Sequence, residues 1–180
     1  MLFSFQSHYY LTQCLIKAII CKWSLKCTFH GTIEDDRGVK KMSKYTDYQF
    51  KPFLQDAIAE LGFKEPTPIQ KEMIPLVLKG KSAIGQAHTG TGKTHSFLLP
   101  IVERIEEGNQ QVQAVITSPT RELAQQIFDA LQQLIEHSNI QAKLFIGGTD
   151  KQRSIDKLKT QPHIVVGTPG RIKDLVKEGA

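Results

Sequence analysis

The sequence predicts an α/β fold in which a parallel β-sheet is covered by helices on both faces. After residue 45, short apolar runs alternate with longer runs whose apolar residues recur at helical spacing. Glycine, proline or threonine stands at the junctions between these runs, where turns and helix starts are expected. Repeated strand–helix units imply parallel strands, and ligands of such folds bind at the carboxyl ends of the strands.

Composition is typical of a soluble globular domain, because 40% of the 180 residues are hydrophobic and 23% are charged. The net charge of +5 is not by itself a sign of nucleic-acid binding. Residues 1–41 hold six Lys or Arg against three Asp or Glu, which leaves 17 against 15 in the remainder. A nucleic-acid site, if present, must therefore depend on particular residues rather than on the net charge of the domain.

Residues 1–41 differ from the rest of the chain. They contain all three cysteines and the single tryptophan, without clear periodicity. Their apolar run is broken by Lys17, so it resembles neither an export signal nor a membrane span. We interpret them as an atypical extension, untranslated or disordered, ahead of a domain that begins at Met42. An alternative is a zinc site of the Cys3His type, formed by Cys14, Cys21, Cys27 and His30.

Two helices are predicted at the start of the domain. Residues 52–61 have apolar residues at helical spacing, and Pro68 suits the first position of a second helix. Gln70 would lie in the first turn of that helix. Its amide offers a donor and an acceptor that can pair with N7 and N6 of adenine. On these residues alone, a surface glutamine beside a turn is the better-supported interpretation.

A phosphate-binding loop is predicted next. Residues 81–86 indicate a strand, and Ala-His-Thr-Gly-Thr-Gly-Lys-Thr then leads into a helix. Gly90 and Gly92 let successive backbone N–H groups face phosphate oxygens at the helix start. Lys93 would reach the β- and γ-phosphates, and the Thr94 hydroxyl would bind Mg²⁺. Ala87 stands where the general pattern has glycine, which leaves open a glycine turn without nucleotide.

Three further strands are predicted, over residues 112–117, 143–146 and 163–166. The first leads to a helix over residues 121–137 that Thr120 can cap, and the last to a helix capped by Thr168 with Pro169 at its first position. The middle strand leads to Gly147 and Gly148, followed by a basic surface helix over residues 150–159. Such strand ends can be plain turns and helix starts, or they can bind anions through backbone groups without reading sequence.

Several of these motifs resemble those of DEAD-box RNA helicases. Residues 62–70 resemble the Q motif, and Tyr45 stands 17 residues before Gly62, where the family usually has Phe. The family's phosphate loop begins with alanine, as at Ala87, although His88 replaces a more usual Gln. Residues 119–124, 147–148 and 167–171 resemble motif Ia, the paired glycines and motif Ib. Residues 145–152, 157–159 and 162–163 are most similar to the bacterial cold-shock branch.

The resemblance implies that residues 42–180 form part of the first, ATP-binding RecA-like P-loop domain of an ATP-dependent RNA helicase, with the Q motif over residues 45–70. Its catalytic residues would include Lys93 and Thr94, with Thr94 binding Mg²⁺. ATP would be bound by Tyr45, Phe63, Thr67, Gln70, Ala87, His88, Thr89, Gly90, Thr91, Gly92, Lys93 and Thr94. The backbone of RNA would be bound by Pro119, Thr120, Arg121, Gly147, Gly148, Thr168, Pro169, Gly170 and Arg171.

The Asp-Glu-Ala-Asp motif does not occur in the sequence, and the family's second RecA-like domain is expected to lie outside this chain. We therefore expect the chain alone to bind nucleotide weakly, with negligible turnover. We expect a cytoplasmic protein without membrane association, whose ribosome or RNA-decay partners the sequence does not identify. Two alternatives stay open: a non-catalytic ATP- and RNA-binding product, and an unrelated P-loop NTPase or kinase. The latter accounts for residues 87–94 but not for Gln70.

Overall fold

A computed structural model of the protein describes residues 18–19, 44–148, 158 and 160–178. In chain order its elements are β1 (Ala18–Ile19), a 3₁₀ helix (Tyr45–Tyr48), α1 (Pro52–Glu60), α2 (Pro68–Leu78), α3 (Lys93–Arg104), β2 (Ala114–Thr117), α4 (Arg121–Ile135), β3 (Ala142–Phe145), β4 (Ile164–Gly167) and α5 (Pro169–Lys177). Five predicted helices and three predicted strands are confirmed, with bounds that shift by one or two residues.

The sheet contains three parallel strands in the order β2, β4, β3. Val165 of β4 pairs with Val115 of β2 on one side and with Lys143 of β3 on the other. The two-residue strand β1 pairs antiparallel with the other edge of β2, where Ala18 lies opposite Ile116. The parallel sheet predicted from the strand–helix alternation is therefore confirmed for β2, β3 and β4.

Helices cover both faces of this sheet. Successive side chains of β4 point to opposite faces, and all four of its residues are buried. Ile164 and Val166 belong to the larger core, which also contains residues of α1, α2, α3 and α4. Val165 lies on the opposite face and packs in a smaller cluster with Phe145 and with Leu175 of α5. The prediction of helices on both faces is confirmed.

Most helices begin at a proline or at a capping threonine, as the sequence predicts. Proline occupies the first position of α1, α2 and α5, as its fixed φ favours. Thr120 caps α4, because its hydroxyl accepts a hydrogen bond of 3.2 Å from the Leu123 N–H. The capping role predicted for the Thr168 side chain is wrong, since that side chain makes no capping hydrogen bond. Pro169 already fixes the first backbone angle there.

The strand predicted over residues 81–86 is also wrong. Residues 81–88 have no regular secondary structure, and among the described strands none pairs with them. The Ile84 side chain is 72% exposed. A strand is held by backbone hydrogen bonds to a neighbouring strand, and an apolar run cannot supply that neighbour itself. The phosphate loop is therefore positioned by the packing of α2 against α3 rather than by the sheet.

His163 joins the amino ends of β3 and β4, opposite the predicted sites. Its ring is 4% exposed. Its Nδ1 accepts a hydrogen bond of 2.9 Å from the Gln141 N–H, and its Nε2–H donates to the Glu107 carbonyl at 3.2 Å. These bonds link the amino ends of β3 and β4 to the backbone at Glu107, at the opposite end of the sheet from the proposed RNA cleft.

Some predictions fall outside the described residues. These are the extension over residues 1–41, apart from β1, the zinc ligands predicted within it, and the basic helix over residues 150–159, apart from Leu158. Within the part of the chain that the structure describes, no three His, Cys, Asp or Glu side chains are grouped as metal ligands. No helix in that part has the length and hydropathy needed to cross a membrane.

Candidate nucleotide and RNA sites

The predicted phosphate loop turns at two glycines before α3 begins. Gly90 and Gly92 have φ angles of +79° and +81°, in the left-handed region where glycine avoids the strain of a Cβ atom. Gly92 is the residue before the first turn of α3. The loop therefore leads directly into the positive end of a twelve-residue helix, which is a favourable position for an anion.

Lys93 is hydrogen-bonded to the loop itself. Its ammonium group donates to the backbone carbonyls of Ala87 and His88, the latter at 2.5 Å. The Thr91 hydroxyl donates to the same His88 carbonyl at 2.7 Å. The Lys93 ammonium group is therefore bound to two neutral carbonyls. Phosphate oxygens would bind it more strongly, because they are charged. Thr94 lies partly buried in the first turn of α3.

Gln70 connects α2 to this loop. It is only 3% exposed, so the interpretation of a surface glutamine is wrong. Its Oε1 accepts hydrogen bonds from the Tyr45 hydroxyl at 2.6 Å and from the Thr67 N–H at 2.9 Å. Its Nε2 donates to the Gly92 carbonyl at 3.1 Å. One amide thus brings the predicted nucleotide residues Tyr45 and Thr67 together with the phosphate loop.

An aromatic cluster lies beside Gln70. Phe63 is partly exposed and stacks on Tyr45 with ring centroids 6.1 Å apart. The His95 ring contacts Phe63 edge-on, with centroids 4.8 Å apart. Burial raises the pKa of Tyr45 and lowers the pKa of His95, so the phenol keeps its proton and the imidazole is neutral at pH 7. His95 was not predicted as a site residue; its place directly after Thr94 was the available signal.

A separate cleft of about 680 Å³ lies at the carboxyl ends of the three parallel strands. It brings together every residue predicted to bind RNA except Pro169. It also includes two carboxylates that the sequence analysis did not predict, Glu122 and Asp174. The lining residues are Pro119, Thr120, Arg121, Glu122, Gly147, Gly148, Thr168, Gly170, Arg171 and Asp174.

Arg121 lies over the paired glycines within this cleft. A methyl group added to Gly148 would lie 2.7 Å from Arg121 Nη1, and one added to Gly147 would lie 3.3 Å from Nη2. Gly148 also has a φ of +85°. The glycines therefore leave space for the guanidinium as well as allowing the turn. Arg121, Arg171 and the starts of α4 and α5 give the cleft hydrogen-bond donors that suit an anion, while the two carboxylates of its lining balance the formal charge of the two arginines.

The family model described as DEAD/DEAH box helicase matches residues 67–180, more than half of the chain. The chain belongs to the DEAD/DEAH box helicase family. The matched range includes Gln70, the phosphate loop and the whole cleft, whereas Tyr45 and Phe63 precede it. This membership confirms the family resemblance inferred from the motifs.

Relatives of this DEAD-box chain include two bacterial helicases. It is 59% identical over 143 residues to the DEAD-box ATP-dependent RNA helicase CshB of Bacillus subtilis, and 61% identical over 140 residues to CshB of Bacillus cereus. These matches cover 78% and 76% of this chain but only 33% and 32% of the relatives. The chain thus spans about a third of their length. The similarity to the bacterial cold-shock branch is confirmed.

Solved structures show the same fold. A DEAD box protein from the hyperthermophile Methanococcus jannaschii superimposes with a TM-score of 0.69 at 38% identity, over 77% of this chain and 38% of that one. A structure of Saccharomyces cerevisiae dbp5 bound to gle1 and IP6 gives a TM-score of 0.69 at 28% identity, over 77% and 35% of the two chains. The predicted RecA-like α/β fold of this DEAD-box chain is confirmed.

Proposed function

We propose that this chain binds ATP and RNA as part of an ATP-dependent RNA helicase, which remodels RNA duplexes while it hydrolyses ATP. The observation that carries the proposal is the Gln70 amide, which is hydrogen-bonded to Tyr45 of the aromatic cluster and to the Gly92 carbonyl of the phosphate loop. A phosphate loop alone would suit many nucleotide-binding proteins. A buried glutamine attached to that loop adds a means of recognising the base.

The phosphates of ATP would be bound by residues 87–94. Gly90 and Gly92 already have the left-handed backbone that exposes loop N–H groups, and Lys93 would exchange its two carbonyl partners for phosphate oxygens. Thr94 is the side chain of this chain proposed to bind Mg²⁺. When bound, that ion neutralises phosphate charge. Lys93 and Thr94 would therefore hold the phosphates in place for the reaction.

The base would be bound by the Gln70 cluster. Phe63 has a partly exposed ring that can cover one face of a purine. Gln70 would recognise the edge of adenine with its amide, and Thr67 holds that amide in place through its backbone N–H. Tyr45 supports Phe63 by stacking on it.

The RNA backbone would lie in the cleft at the strand ends. Besides the carboxylates Glu122 and Asp174, its lining contains glycines, helix starts and two arginines, which would contact phosphates without reading base sequence. We further propose that the protein acts in the cytoplasm and without a membrane. Because the sequence has no Asp-Glu-Ala-Asp motif, we expect the purified chain to bind both ligands without appreciable hydrolysis.

The test is equilibrium binding of fluorescent ADP and of a labelled single-stranded RNA to the 180-residue chain, with GDP as competitor. Lys93→Ala should lower the affinities for ADP and GDP by roughly 10- to 100-fold, because it removes charge-assisted hydrogen bonds to phosphate. Gln70→Ala should abolish the preference for ADP over GDP. Both variants should bind RNA normally.

Arg121→Ala is the matched change in the cleft. It should weaken RNA binding about tenfold and reduce the salt dependence of that binding, while ADP affinity stays unchanged. The proposal would be refuted if Lys93→Ala bound ADP like the unaltered chain. If Arg121→Ala did not change RNA affinity, the proposed RNA site in the cleft would be refuted.

A further inference from the structure

The Tyr45 hydroxyl and a bound base would need the same atom of Gln70. Oε1 of Gln70 already accepts two hydrogen bonds, from the Tyr45 hydroxyl at 2.6 Å and from the Thr67 N–H at 2.9 Å. A carbonyl oxygen has two lone pairs, so its capacity is full. We propose that the Tyr45 hydroxyl competes with the 6-amino group of adenine for Gln70, and so limits how strongly the site prefers adenine to guanine. This inference rests on the proposed nucleotide site.

The orientation of the Gln70 amide is fixed by its neighbours. The Thr67 N–H can only donate a hydrogen bond, and the Gly92 carbonyl can only accept one. Oε1 must therefore face Thr67, and Nε2 must face Gly92, as the distances of 2.9 and 3.1 Å show. With Oε1 as its partner, the Tyr45 hydroxyl has to be the donor. A flipped amide would place donor against donor and acceptor against acceptor.

This arrangement leaves Gln70 one group with which to contact a base, the second hydrogen of Nε2. That hydrogen can bond to N7, which adenine and guanine share, or to O6, which guanine alone has. Adenine differs by its 6-amino donor, which needs a free lone pair on Oε1. The site as described therefore cannot use the group that distinguishes adenine until one partner of Oε1 leaves.

Of those two partners, Tyr45 is the one that can leave. The Thr67 N–H belongs to the backbone directly before α2, whereas a phenolic O–H turns about a single bond without moving its ring. Tyr45 is 7% exposed, so a hydroxyl turned away from Gln70 loses its partner in a buried setting. That loss opposes adenine binding but not guanine binding. Tyr45 is thus a specificity-setting residue through its hydroxyl alone.

The experiment measures the affinities of ADP, GDP and purine riboside 5′-diphosphate, which lacks the 6-amino group, for the 180-residue chain and its Tyr45→Phe variant. This substitution keeps the ring and its stacking on Phe63. ADP should bind about fivefold more tightly to the variant, the effect of one neutral hydrogen bond. The affinities of GDP and of purine riboside diphosphate should not change.

Tyr48→Phe is the matched control. Tyr48 is also 7% exposed, its ring stacks on Phe50, and its hydroxyl has no hydrogen-bond partner among the described residues. Its substitution should leave the ratio of ADP to GDP affinity unchanged. Thermal melts of both variants establish that they fold.

The unaltered protein provides a second measurement. Because the gain from the 6-amino group is offset by the lost tyrosine bond, it should prefer ADP to purine riboside diphosphate by less than about fivefold. A preference above tenfold would overturn the inference, as would an ADP to GDP ratio that stays the same or falls in Tyr45→Phe. The proposed function fails separately, and this inference with it, if the unaltered chain binds no nucleotide.

Discussion

The proposed nucleotide loop and the proposed RNA cleft are built differently, although both lie at helix starts. The cleft is formed by the ends of three parallel strands whose registers fix its walls. The loop follows a segment that pairs with none of the described strands. It is tied instead to α2 through Gln70, and its own lysine binds its own carbonyls.

If both proposed sites bind anions, two such sites of one domain depend on different parts of the fold. A change in the sheet should alter the cleft before the loop, and a change in the Gln70 network should alter the loop alone. The glycine substitutions below each change one region, and each has as its control another glycine with a positive φ.

The largest effect is expected from Gly92→Ala. A Cβ atom there would lie 2.6 Å from Gln70 Nε2, and the residue has a φ of +81°. Gln70 is buried and cannot move away easily, so the cost should be about 3 kcal/mol, of which backbone strain accounts for about 1–2 kcal/mol. Urea denaturation measures this, and ADP affinity should fall while RNA affinity is retained.

Gly90→Ala is the control for that change. Gly90 has nearly the same φ, +79°, but no described atom lies within 4 Å of an added Cβ. Its cost should be limited to the strain of about 1–2 kcal/mol. Equal destabilisation by the two substitutions would show that Gln70 does not hold the loop.

A smaller effect on stability is expected from Gly148→Ala in the cleft. It combines a φ of +85° with a Cβ 2.7 Å from Arg121 Nη1. Because Arg121 is exposed and can move, stability should fall only by the strain of about 1–2 kcal/mol. RNA affinity should fall about threefold to tenfold as the guanidinium is displaced. Gly62→Ala, with a φ of +69° and open space around the added Cβ, should destabilise similarly without weakening RNA binding.

The smallest effect is expected far from both sites, where His137 at the end of α4 contacts Glu60 of α1 at 3.0 Å. The hydrogen bond to Glu60 raises the pKa of His137. A raised pKa in the folded state means that the stabilisation is complete below the unfolded value of about 6.5 and is lost as pH rises through the folded value. Both side chains are exposed, so the change should be small.

Thermal melts between pH 5 and 9 measure this effect, with His137→Gln as the comparison. The unaltered chain should lose melting temperature as pH rises above about 6.5, and the variant should lack that decline. Ligand binding should be the same for both proteins. Identical pH profiles would contradict the assigned contact.

Local signals predicted much of this fold. Prolines at helix starts, the Thr120 cap and the apolar runs of β2, β3 and β4 each act within a few residues, and the structure confirms them. The strand predicted over residues 81–86 failed because pairing depends on a distant neighbour. Its apolar residues carry no information about whether that neighbour is present.

The two proposed sites also differ in how much of them could be predicted from nearby residues in the sequence. The cleft could be predicted because parallel strands end at one edge, which brings residues 119–121, 147–148, 168 and 170–171 together. The full occupation of Gln70 Oε1 could not, since Tyr45 lies 25 residues away in sequence. The position of Arg121 over the paired glycines could not either, because it depends on where two separate strand ends meet.

The Gly92 carbonyl, described above as the acceptor for Gln70, also accepts the Ser96 N–H at 3.2 Å within α3. One oxygen thus serves both the helix that follows the loop and the glutamine that precedes it in sequence. The phosphate loop of residues 87–94 therefore depends on a hydrogen bond from outside its own sequence. Transplanted to another scaffold without α2, it would keep its sequence but lose the support that fixes its last peptide group, so any graft of this loop has to include Gln70.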